Sequence, residues 1–247
     1  MTDKDMTSPT AETQPQEGKI PVTVFKIVLS EDDALRIAES NKLKPFGGGG
    51  FFSKIKKEDI EVANVALLYI PYELQTAKYK IDYYRKNSYT VPVDNIISEV
   101  IILGNTFNPE KGEDVRNSNS ESIIKLDADE RIVKVTEDTA VIDRFGKEAP
   151  LSVIPKAEKE NDPERVISIE GDSFMKPTGL KEYATNLLKL KIAQHPAEAI
   201  RINSEAFNII QTMTNYIPVY NAVLRNKKTG DTKTIFIDAI ASKVVEV

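Results

Sequence analysis

Apolar positions change their spacing several times along the chain, and each change marks an element. Residues 19–29, KIPVTVFKIVL, are dense in β-branched side chains and predict a first strand. Ser30 then has the character of a helix N-cap. Its hydroxyl can accept the amide of Asp33, acidic residues 31–33 suit the positive helix end, and Leu35, Ile37 and Ala38 form a short apolar face, which predicts a helix over about 31–40. Apolar runs and tyrosine-rich stretches alternate over residues 60–103. Pro71, Asn87-Ser88 and Asp94-Asn95 predict bends that separate strands near 61–70, 72–84, 88–93 and 97–103. These connections are too short for crossover helices, so the strands are expected to form an antiparallel meander. Residues 123–145 predict two or three short strands and 166–169 one more. The spacing of Leu180, Tyr183, Ala184, Leu187, Leu188 and Ile192 predicts the clearest helix, opened by Pro177 and Thr178 and ended by Pro196.

Segments without periodicity divide these elements. Residues 1–18 are polar and of mixed charge, with too little apolar surface to offset the entropy of ordering. They read as a disordered tail without the apolar core of a signal peptide, and no later run is long enough to span a bilayer, so a cytoplasmic protein without membrane insertion is expected. Lys44-Pro45-Phe46 followed by four glycines, Phe51 and Phe52 breaks any regular element. Residues 105–121 and 155–164 are polar insertions.

The chain also resembles itself. Tyr69-Ile70-Pro71 recurs as Tyr216-Ile217-Pro218, and the stretch from Asp94 to Ile101 recurs from Asp238 to Val245, matching at Asp, Ile, Ser and Val. Ser30-Glu31, which opens the first helix, has a counterpart in Ser204-Glu205 followed by Ala206, Phe207, Ile209, Ile210 and Met213. Each half can be drawn as helix, Tyr-Ile-Pro strand, turn and Asp-bearing strand, with residues 227–231 as the second hairpin turn, where glycine supplies the positive φ. The expected fold class is α+β, with two related units of a helix packed on a small antiparallel sheet and an irregular strand-rich insertion between them. The expected division is a tail at 1–18, a first unit at 19–104, an insertion at 105–176 and a second unit at 177–247.

The stretch YIPVYNAV with the later IFIDAIASKVV, within residues 216–245, resembles the helix-strand-strand module of PepSY-type, cystatin-like domains, and the first half resembles it more faintly. Where that family places Gly after the Asp-Ala segment, this chain has Ser242, and Ser98 in the first half. The resemblance implies a non-catalytic binding or inhibitory module, often acting outside the cytoplasm.

Composition narrows the chemistry. With no cysteine and one histidine, thiolate nucleophiles, iron-sulfur clusters, Cys-ligated zinc and His-rich metal sites are excluded, and no cofactor or metal is expected. A net charge of −5 gives no global attraction to polyanions. The glycine loop beside Lys44, Lys54, Lys56 and Lys57 suggests a phosphate cradle but lacks the order G-x-x-x-x-G-K-[ST]. A hinge carrying Phe46, Phe51 and Phe52 as an apolar patch for a partner is the favoured reading. Six of nine tyrosines fall within 69–89 beside Lys78, Lys80, Arg85 and Lys86. Tyr79, Tyr83, Arg85 and Lys86 are therefore candidates for stacking bases and contacting phosphates, although tyrosine is equally a favoured strand residue. His195 reads as a stabiliser of a helix C-terminus, Asp127, Asp129 and Glu130 as a turn, and Asp94 and Asp238 as turn-closing acceptors of neighbouring amides.

The expected function is a non-enzymatic binding or scaffold protein, acting through contacts with another protein or its own copy. Two alternatives stand beside it: single-stranded nucleic-acid binding through strands 69–89, and a hydrolase working with carboxylates alone, which needs two Asp or Glu in one cleft.

Overall fold

The computed structural model describes residues 20–47, 55–111, 122–177, 179 and 181–245. It is mixed, with a large antiparallel sheet, a small two-stranded sheet and a minority of helix, which bears out an α+β class. In chain order the elements begin with β1 (Val22–Val24), α1 (Glu31–Asn41), β2 (Ile60–Val93), β3 (Val100–Ile102), β4 (Asn105–Phe107), β5 (Glu110–Lys111) and β6 (Ser122–Ile142). They continue with β7 (Glu148–Ala149), α2 (Pro163–Ile169), α3 (Lys181–Ile192), β8 (Ala199–Asn226), β9 (Thr232–Asp238) and β10 (Lys243–Val245). Two compact units result, one from residues up to 74, 142–178 and 212 onward, the other from 75–141 and 179–211.

The first unit is a helix on a sheet. Its strands run in the order β10-β9-β8-β2, and β1 adds to β8 in parallel, with Val22 opposite Thr214 and Val24 opposite Tyr216. The Ser30 hydroxyl accepts the Asp33 amide at 3.2 Å, so α1 starts as its cap residue predicts. Ala34 and Ala38 of α1 are fully buried against Tyr220, Ala222 and Leu224 of β8 and Ile235 and Ile237 of β9. Small residues on the helix bring its backbone close to the sheet, and Tyr220 ties the start of the helix down by donating its hydroxyl to the Leu29 carbonyl at 3.0 Å. Gly230, at φ +79°, closes the β8–β9 hairpin as expected. Asp238 ends β9 by accepting the amides of Ile240 and Ala241 at 2.8 and 2.9 Å, and Asp94 accepts the Ile96 amide at 3.2 Å. Both aspartates thus do what the sequence suggested.

The two Tyr-Ile-Pro segments meet inside this one unit. Phe174, itself partly buried, stacks on Tyr69 with ring centroids 4.1 Å apart and meets Tyr216 edge-on at 4.9 Å, so that Tyr69 and Tyr216 are buried together with Val24. Ser204-Glu205 opens no helix, because both residues lie within the 28-residue strand β8.

The second unit orders its strands β8-β2-β6-β5. Ala77, Tyr79, Ile81 and Tyr83 of β2 are buried while Lys78 and Lys80 between them are exposed, the period-two signature of a sheet covered on one face. The covering element is α3, whose Ala184, Leu188 and Ile192 are buried and whose Thr185 hydroxyl donates to Gln75 at 2.9 Å.

Several expectations need correction. The bends at Pro71 and Asn87-Ser88 are absent, and 60–93 is one 34-residue strand. Residues 122–142 are likewise a single strand of 21 residues rather than two or three short ones, so Asp127, Asp129 and Glu130 lie in a strand interior and not in a turn. Residues 166–169 are helical: Asp162 caps α2 by accepting the Arg165 amide at 3.0 Å, and Pro163 fits the first turn, where its missing N–H goes unneeded.

Candidate interaction surface

The second unit has one covered and one open sheet face. Thr76 and Thr139 hydroxyls meet at 2.9 Å, and Arg131 grips Asp82 through two hydrogen bonds of 2.9 and 2.6 Å. Even-numbered residues of β2 and odd-numbered residues of β6 therefore share the open face. Asn203 also donates to Asp82 at 2.9 Å. Hydrogen bonds from Arg131 and Asn203 hold the Asp82 carboxyl down to about 2. Arg201 lies 4.1 Å from the ring centre of Tyr84, a cation–π pair. Val133 and Val135 are 54% and 51% exposed, two apolar side chains standing in water on a strand otherwise rich in charge.

The covered face holds the polar groups that could have been catalytic. Tyr79 donates its hydroxyl to Glu205 at 2.6 Å, and His195 Nε2 meets the same carboxylate oxygen at 2.8 Å. Burial and this bond push the Tyr79 hydroxyl up to about 12, while the Tyr79 and His195 bonds lower Glu205. With Lys189, Leu190 and Phe207 these residues line an open cleft of about 480 Å³. Tyr83 donates to Glu198 at 3.0 Å. Glu130 accepts from Tyr89, Asn87 and Arg85, which together bring its carboxyl down to about 2. Each of these carboxylates is stabilised as an anion, whereas a general acid needs the opposite shift. Among the described residues no group of three His, Cys, Asp or Glu side chains is placed to hold a metal ion.

The sequence candidates separate accordingly. Tyr79 and Tyr83 are 3% exposed, Tyr79 beside Lys189 and Leu190 of α3; Arg85 is engaged by Glu130 at 2.8 Å; Lys86 is exposed. Phe46 is partly buried against the core beneath α1, and Phe51 and Phe52 lie outside the described residues. His195 follows the end of α3 but is committed to Glu205. Sequence reasoning missed Val133 and Val135, although the alternation R-I-V-K-V-T over residues 131–136 carries the signal. A second cleft, of about 460 Å³ in the first unit, is lined mainly by Ile20, Pro21, Val22, Pro163 and Ile167.

The backbone of β6 completes the surface. One edge pairs with β2; on the other, β5 covers only Ser122 and Ile123. The two-residue strand β7 turns back where the Asp143 amide donates to the Lys147 carbonyl, which places it against the last residues of β6. From Ile124 to Ala140 the outer edge has no strand partner among the described residues. No helix among them is long and apolar enough to cross a membrane. No family model, curated protein or solved structure matches the chain.

Proposed function

We propose that the protein is a non-enzymatic binding or scaffold protein whose contact surface is the outer edge of β6 and the open sheet face beside it. The single observation that carries this reading is that the outer edge from Ile124 to Ala140 has no strand partner among the described residues. Such an edge offers a row of backbone donors and acceptors to another strand, a common mode of protein recognition. Val133 and Val135 add apolar area at the same place. The lowered carboxyls of Asp82, Glu130, Glu198 and Glu205 favour binding over acid–base chemistry. Burial of Tyr79 and Tyr83 favours protein contacts over base stacking. We also propose that residues 216–245 form a PepSY-type, cystatin-like strand pair; the Asp238 turn supports this, and the helix laid on these strands is α1 in place of one at residues 204–213.

The test is affinity recovery from a native extract with and without nuclease treatment, with wild-type protein and the Val133→Asp/Val135→Asp double variant as baits. Proteins, its own untagged copy included, should be retained by the wild type and lost with the variant. Equal recovery by both baits, or recovery that nuclease abolishes, would refute the reading.

A further inference from the structure

Resting on that reading, we propose that the partner of the β6 edge is a second copy of the same strand, paired antiparallel about a two-fold axis through Lys134. In such a pair residue i faces residue 268 − i, so Val133 faces Val135 of the other copy and Arg131 faces Glu137, each twice. All four residues share the open face with Thr139. Their pairing joins the two half-exposed valines to each other and opposes a cation to an anion on either side, the combinations that stabilise cross-strand neighbours. Arg131 keeps N–H groups for this contact, since its two bonds to Asp82 leave its side chain 55% exposed.

Registers centred on the three preceding residues do worse. With the axis at Ile132, Val133 faces Arg131 and Glu137 faces Asp127. With the axis at Val133, Val135 faces Arg131 and Glu137 faces Asp129. With the axis at Arg131, both valines face aspartates. The Lys134 register also fits the available edge, because Ala140 faces Ala128 and both lie within the unpaired run. On the other face the pair has two costs. Glu130 faces Asp138, but the Arg85 ion pair already compensates Glu130. Lys134 faces its own copy on the axis, a like-charge contact that limits the affinity and keeps the edge from pairing indiscriminately.

The chain has no cysteine, so disulfide trapping reads the register directly. Lys134→Cys should form a covalent dimer under mild oxidation much faster than Ile132→Cys or Thr136→Cys, because only residue 134 faces itself. Sedimentation of the full-length protein should show a dimer of the 27.6 kDa chain that tightens at least tenfold in Lys134→Thr and weakens at least tenfold in Glu137→Lys. These variants lie on the exposed edge, and matching thermal melts confirm that they fold. A monomer at all concentrations to 100 µM, or equal trapping at residues 132, 134 and 136, overturns the proposal. If the wild-type bait still recovers other proteins through β6 in that case, the binding function stands and only the identity of the partner falls.

Discussion

Replacing Leu188 with alanine tests whether α3 is what seals the covered face of the second unit. Leu188 is fully buried, whereas Leu190 on the same helix is 72% exposed. Truncation removes three carbons, and at about 0.8 kcal/mol per buried methylene that loses roughly 2.4 kcal/mol. A cavity that collapses only partly adds up to about 2 kcal/mol at roughly 24 cal/mol per Å³, giving about 3–4 kcal/mol in all. Leu190→Ala should change stability by less than about 0.5 kcal/mol. Urea unfolding followed by circular dichroism gives the two values, and hydrogen exchange in residues 75–93 localises the loss to the strand beneath the helix. A cost under about 1 kcal/mol for Leu188→Ala, or equal effects of the two changes, would show that the helix does not pack as described.

Asp82 titrates near 2 in the folded protein against an ordinary 3.8, so its stabilisation is fully present above about pH 4 and disappears as pH falls from 3.8 towards 2. Asp82→Asn should therefore be less stable than wild type at pH 7, with the gap closing near pH 2; a gap that does not change with pH in acid titrations of stability would contradict this. Tyr220→Phe leaves the Leu29 carbonyl without its buried donor and should cost about 1–2 kcal/mol in a thermal melt. Gly230→Ala meets no atom within 4 Å but keeps φ at +79°, so it should cost about 1 kcal/mol through backbone strain alone, measured in the same way.

Local signals were legible at several positions where one residue supplies the cause. Ser30 caps α1, Gly230 closes a hairpin, and Asp94 and Asp238 accept neighbouring amides. Signals that depend on a distant partner were not. Pro71 reads as a break, yet the Thr76–Thr139 register sets the last residue of β6 opposite Glu73, so Pro71 lies beyond the reach of that strand. Pro218 sits inside β8 because its carbonyl, which accepts the Ala239 amide at 3.1 Å, does the pairing there. Asp127 and Glu130 look like turn residues until Ser88 and Arg85 appear on the neighbouring strand to bind them. The helix at 163–169 could have been found from Asp162-Pro163, a capping signal inside a stretch read as a polar insertion. The open edge of β6 is a matter of which strands lie beside it among the described residues, and spacing along a chain does not encode that.

The hydroxyl of Tyr220 that fastens Leu29 comes from a residue 191 positions further along the chain. While the protein is being made, α1 leaves the ribosome long before the sheet it lies on has been translated. At roughly 5–20 residues per second, that interval is about 10–40 s. Throughout it, Leu29, Ala34 and Ala38 have no β8 or β9 to cover them, so the nascent chain offers a chaperone an apolar segment that the finished molecule hides. A stop codon anywhere before β8 would leave that segment without the strands that cover it.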